Sequence, residues 1–148
     1  MTFDPAAQGW TTWQSVGLTD LVGPFWMRQE AKGFAYGFVV EERHLNRGRI
    51  THGGMIATFL DIVMGRTAHD AIRPRSCATV QLNLHYVSAS HAGEFIEARG
   101  ETIKTTQTLV FSRGACTVGD RTVAMADGLW KILSPGRRLD GTSVDSSK

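Results

Sequence analysis

The sequence predicts an α+β domain in which one long buried helix sits between two sets of strands. Three observations carry that prediction. The segment from Gly54 to about His69 has no proline and is apolar nearly all round, the pattern of a helix enclosed by other elements. Runs rich in strand-forming residues follow it as far as Leu133, and two shorter runs precede it. Strands and helices do not alternate, which argues against a parallel sheet built from βαβ units.

Taken in order, residues 1–21 carry Trp10, Trp13 and Leu18 and read as a short helix or an arm lying on the body. Gly23–Glu30 and Phe34–Glu41 read as two strands around the turn Ala31-Lys32-Gly33, and Glu42–Thr51 as a polar loop. After the helix, Ala78–Ser88, Glu94–Thr105, Thr108–Val118 and Arg121–Leu133 read as strands, with turns at Ser90–Gly93, Thr106–Gln107 and Gly119–Asp120. In the first of these, alternation places Val80, Leu82, Leu84 and Tyr86 on one face and Thr79, Gln81, Asn83 and His85 on the other. The expected arrangement is an antiparallel sheet of about six strands curled around the helix, the last four forming a meander. Residues 22–133 make the domain, 1–21 the arm, and 134–148, rich in Ser, Gly and charge, a flexible tail. One helix cannot cover both faces of such a sheet, so a second copy is expected against its outer face or edge.

The chain has 148 residues, enough for one domain with a real core. Apolar residues make up 42% and charged residues 20%, and the net charge of +2 is too weak to argue for nucleic acid. Cys77 and Cys116 form no CxxC, so reduced thiols and a cytoplasmic location are expected. Met1 to Trp10 lacks the features of a secretory leader, and no run approaches the ~20 apolar residues of a membrane span. GxSxG, P-loop, GxGxxG and HExxH patterns are absent, and no two of the five histidines have convincing ligand spacing. No metal and no cofactor are expected.

One segment, His44 to Asp61, concentrates the polar chemistry. Asp61 is the only charged residue from Met55 to Gly65, and its helical neighbours Ala57, Thr58 and Gly65 are small. A carboxylate there needs partners if it is buried; the plainer reading is a solvated or salt-bridged position. His52-Gly53-Gly54 opens the helix, where free backbone N–H groups and the positive end of the dipole gather, a plausible oxyanion hole or simply a loop-to-helix junction. Asn46 and His52 could each hydrogen-bond a carbonyl, or stabilise the loop and cap the helix. Gly53 and Asp61 lie about 12 Å apart along one helix axis, too far for a single carbonyl to meet both. If both act on it, two antiparallel copies of the helix must bring one chain's Gly53 beside the other's Asp61.

The spacing of Asn46, Gly48, His52, Gly53, Gly54 and Asp61 resembles the signature of hotdog-fold acyl-CoA thioesterases, above all the phenylacetate-pathway (PaaI-like) branch and its animal relatives. The similarity runs from about Gly23 to Leu133 and includes TVQLNLHYVSAS followed by HAGE, with Ala89 standing where many relatives have proline. The resemblance implies hydrolysis of an acyl-CoA thioester by a homodimer, often paired into a homotetramer, with CoA as part of the substrate. It implies that Asp61 is nucleophile or general base, that the Gly53 N–H receives the oxyanion, that Asn46 and His52 orient the thioester, and that the Thr79 hydroxyl positions water or substrate. It places CoA along Tyr86, Ser90, His91, Lys104, Thr105, Thr106, Gln107 and Thr108. Met55, Phe59, Met64, Phe25 and Trp26 are candidates for the acyl pocket, with plain core as the alternative. A non-catalytic acyl-CoA or lipid-ligand binding module is the second functional reading; a hotdog dehydratase fits the motif less well.

Overall fold

A computed structural model describes residues 3–134; most of the expected C-terminal tail lies outside them. The arm carries a 3₁₀ turn at Ala6–Gln8, strand β1 (Thr11–Thr12) and the short helix α1 (Leu18–Val22). Then come β2 (Trp26–Glu30), β3 (Gly33–Val39), a 3₁₀ turn at Glu42–His44 and the long helix α2 (Gly53–Asp70). Four strands finish the chain: β4 (Cys77–Tyr86), β5 (Phe95–Thr105), β6 (Leu109–Val118) and β7 (Arg121–Ile132). All seven strands form one antiparallel sheet in the order β1-β2-β3-β5-β6-β7-β4, with α2 against one face. This is the hotdog arrangement.

The four last strands do not form a simple meander. Only β5, β6 and β7 do; β4 lies beyond β7 at the far edge. Helix α2 delivers the chain to that edge at Cys77, and the segment after Tyr86 carries it back, with Gly93 N–H donating to the Val40 carbonyl, so that β5 pairs with β3. The expectation failed because strand order is set by this long crossover, which leaves no local sequence mark.

Helix α2 seals Phe59, Leu60, Val63, Met64 and Ala68 against Phe25, Phe38, Ile96, Val110, Cys116 and Trp130. Burial of each large side chain contributes about 1.5–3 kcal/mol. The helix can approach closely because β5 is glycine at its crossing: a Cβ on Gly100 would fall 2.4 Å from Thr67 Oγ1. Phe25, Phe59 and Met64 are thus core, not pocket wall, and Trp26 packs on the opposite face of the sheet with Trp10 and Phe95. Burial pushes the Cys116 thiol up to about 11 and also raises Cys77, so neither is a ready thiolate at neutral pH.

Candidate active site

The side of α2 that the sheet leaves uncovered carries Ala57, Thr58, Asp61, Ile62 and Gly65, all half-buried. Asp61 Oδ1 accepts a hydrogen bond from Thr79 Oγ1 at 2.8 Å. Strict alternation along β4 would turn Thr79 away from the helix. A bulge between Thr79 and Gln81 prevents that: Thr79 pairs with the inward-facing Trp130, while Leu82 pairs with Gly128 and Leu84 with Ala126. Val80 is pushed out, 59% exposed, and Thr79 joins Leu82, Leu84 and Tyr86 on the helix side. One inserted residue therefore flips Thr79 across the strand and brings its hydroxyl to the acid.

The start of α2 is tied down by its own neighbourhood. His52 caps the helix, its Nδ1 accepting from Gly54 N–H at 2.8 Å, and its own backbone N–H donates to the His44 carbonyl. The His52 carbonyl accepts from Met55 and Ile56 N–H. The Gly53 N–H has no acceptor among the described residues. The Gly53 carbonyl takes the Tyr86 hydroxyl at 3.0 Å, and the Tyr86 ring covers Gly53 so closely that a Cβ there would sit 3.4 Å from it. The free amide is therefore flanked on one side by an aromatic ring from the end of β4.

Asn46 closes the loop before the helix: its Oδ1 accepts from Gly48 N–H at 2.8 Å and more weakly from Ile50 N–H. Beneath that loop His44 is 3% exposed, with Nδ1 accepting from Glu41 N–H and Nε2 donating to the Val22 carbonyl, each at 2.9 Å. Burial, the largest influence, keeps its pKa below the ordinary value, so the ring is neutral at neutral pH.

The residues expected along CoA divide into two groups. Ser90 is 2% exposed, and its hydroxyl donates to Thr51 Oγ1 at 2.7 Å, so it pins the helix-entry loop rather than facing a ligand. Thr106 closes the β5–β6 turn, its Oγ1 bonding the Leu109 carbonyl and the N–H groups of Thr108 and Leu109. Tyr86, His91, Lys104, Thr105, Gln107 and Thr108 are exposed, and Lys104 has no ion-pair partner among the described residues. The Lys104–Thr108 tip and the Tyr86 end of β4 are not in contact within one chain.

Residues without a place in the sequence reading also converge on Asp61. A groove of about 1200 Å³ runs from Asp61 and Thr79, over Ile62 and Gly65, to Trp13 of the arm and Arg66. A smaller hollow of about 460 Å³ lies at the other end of α2, between α1 and the His52–Met55 turn. Trp13 could have been suspected from its place in a polar arm; Trp130 and Arg66 give no local signal. Among the described residues no group of His, Cys, Asp or Glu could hold a metal ion, and no helix is long and apolar enough to cross a membrane.

An acid beside a hydroxyl and an unpaired amide at the helix start thus stand along the long helix of a hotdog fold. The chain belongs to the thioesterase superfamily, whose family model matches residues 48–125. A Pseudomonas aeruginosa protein that carries an esterase name is 31% identical over 121 residues, 80% of this chain and 90% of its own. The crystal structure of zebrafish thioesterase superfamily member 2 is 28% identical and superposes with a TM-score of 0.73 over 81% of this chain and 88% of its own. A Bacillus halodurans protein crystallised with CoA shares the fold, with a TM-score of 0.68, 24% identity and 73% of each chain covered.

Proposed function

We propose that the protein is an acyl-CoA thioesterase of the PaaI-like branch, hydrolysing acyl or aryl-acyl CoA at a site shared by two subunits. The observation that carries this reading is the pairing of opposites on one helix: an acid held by a hydroxyl at Asp61, and an amide without an acceptor at Gly53. They stand about 12 Å apart along the axis. One chain therefore offers half of two sites. A twofold partner supplies the missing halves by laying its own α2 antiparallel along Ala57, Thr58 and Asp61, where small side chains permit close approach. The open edge of β4 lies on the same side and would continue the sheet into the partner. Pairing of two such dimers into a tetramer would cover exposed apolar side chains of the sheet such as Ile103 and Met125.

In this arrangement the thioester carbonyl oxygen points at the partner's helix start, and its developing negative charge takes the Gly53 N–H and the helix dipole. Asp61 drives water onto the carbonyl carbon, as general base or through an acyl anhydride; both routes end in free acid and CoA. Thr79 holds the carboxylate in line, and His52 orders the amide by capping Gly54. The exposed cation of Lys104, with Thr105, Gln107 and Thr108 at one end of β5, and His91, beyond its other end and so drawn from the second chain, are the groups proposed for the phosphates and pantetheine of CoA.

The test is release of free thiol from a panel of acyl-CoAs. Hydrolysis of at least one is expected, with Asp61→Asn lowering kcat about a thousandfold at unchanged fold and oligomeric state. Undiminished turnover in that variant would refute the assignment. Tight acyl-CoA binding without turnover by the wild type would favour a binding module instead.

A further inference from the structure

Beyond Asp61, the groove ends in hydrogen-bond donors rather than in a closed apolar pocket. Arg66 lies five residues after Asp61, about 7.5 Å further along the axis and about 140° around it, on the opposite rim. Its guanidinium carbon lies over two rings set nearly at right angles, 5.1 Å from the centre of Trp13 and 5.5 Å from that of Tyr36. Trp13 is itself fastened to the core by stacking on Phe25. The Nε of Arg66 donates to the Tyr36 hydroxyl at 3.4 Å, and no carboxylate partners the guanidinium among the described residues. The two rings thus hem in the guanidinium while its terminal nitrogens have no partner among the described residues, an edge that can receive a carboxylate through two bonds.

A second donor lies beside Gly65, on the same groove. Trp130 lines the groove at 1% exposure, and its Nε1–H has no acceptor. It lies 3.3 Å from where a Cβ on Gly65 would be, so the glycine leaves it room. A buried indole N–H is ordinarily paired. The groove's own acidic groups do not satisfy either donor: Asp61 is bonded by Thr79, and Asp70 is paired with Arg73 at 2.6 Å.

We infer that the distal end of this groove is a subsite for an acyl group ending in a carboxylate, with Arg66 as the residue that selects it and Trp130 Nε1–H as a second donor along its path. The inference names the substrate class of the thioesterase site proposed above and rests on that placement of the thioester at Asp61.

The experiment compares glutaryl-, adipoyl- and suberyl-CoA with pentanoyl-, hexanoyl- and octanoyl-CoA, in the wild type, Arg66→Gln and Arg66→Lys. For the best-matched length, the wild type is expected to favour the ω-carboxyacyl substrate in kcat/KM by roughly tenfold or more. Arg66→Gln should erase that preference while leaving the neutral substrate within about twofold, and Arg66→Lys should restore part of it. A merely structural Arg66, needed to hold the arm, would lower both substrate series together, and that result would overturn the inference. Calorimetry on Asp61→Asn separates it from the catalytic reading: tighter binding of the ω-carboxyacyl-CoA supports the subsite even if the wild type turns over neither series. Equal affinity for both series contradicts the subsite and leaves hydrolysis untouched.

Discussion

The two ends of α2 are built in opposite ways. At its start the polar groups are answered almost completely, some from within a few residues, as where Asn46 closes its own loop, His52 caps Gly54 and His44 receives Glu41 N–H, and others by Val22, Ser90 and Tyr86 from further along the chain. One amide, that of Gly53, is left over. From Asp61 onward the helix is answered from far away, by Thr79 on the edge strand, by Trp130 on β7 and by Trp13 in the arm. The fully bonded start makes a rigid, pre-aimed donor. The long-range construction makes an open trough whose contents depend on which elements meet over it. In the proposed dimer the rigid end of one helix faces the open end of the other, so positioning and selection are carried by different chains.

Several variants test that division. The largest effect is expected from Gly53→Pro. Proline suits the first helical position, and His52, at φ −60° and ψ 132°, already has the extended backbone a following proline requires. The change deletes the amide hydrogen at the helix start that has no acceptor among the described residues. Turnover should fall about a hundredfold while the melting temperature stays within a few degrees; an active Gly53→Pro enzyme would remove the oxyanion role. Next, Thr79→Ala should lower kcat about tenfold with KM little changed, and Thr79→Ser should recover most of it. Equal losses in both variants would mean that the bulge, not the hydroxyl, matters.

The rigid end should also reveal itself through pH. Because burial holds the His44 pKa below its ordinary value of 6.5, the folded state disfavours the charged ring. Its contribution to stability is fully present above pH 6.5 and is lost as pH falls below it. A second loss belongs to Glu30, which the Arg99 guanidinium holds at about 2 against an ordinary 4.5; its contribution is present above pH 4.5 and fades toward pH 2. Thermal melts should show the first decline in the wild type but not in His44→Leu, which costs about 2 kcal/mol at neutral pH, and the second decline in both. The smallest effect is expected of Tyr86→Phe, which loses only the bond to the Gly53 carbonyl: about 1 kcal/mol in chemical denaturation.

The same contrast explains what the sequence made legible. Helix α2 and the strands from β2 onward fall within a few residues of their expected bounds, because hydrophobic periodicity and turn residues are local. The motif from Asn46 to Asp61 is local too, and stands on one loop and one helix as read. Three features escaped. The position of β4 at the far edge depends on a crossover. The side on which Thr79 sits depends on a bulge that strict alternation cannot anticipate, although the resemblance had placed its hydroxyl near the site. And Ser90, exposed-looking in a Ser-Ala-Ser-His stretch, is buried by its bond to Thr51. The expected tail beyond Ser134 lies outside the described residues.

The central claim, that each site takes its acid from one chain and its amide from the other, is tested most directly by mixing two crippled variants. Asp61→Asn and Gly53→Pro homodimers should each keep no more than about a hundredth of wild-type activity. After subunits are exchanged in equal amounts, half of the dimers are mixed and each mixed dimer holds one intact site, so about a quarter of wild-type activity should return. A mixture that exchanges subunits fully and stays inactive would contradict the shared site.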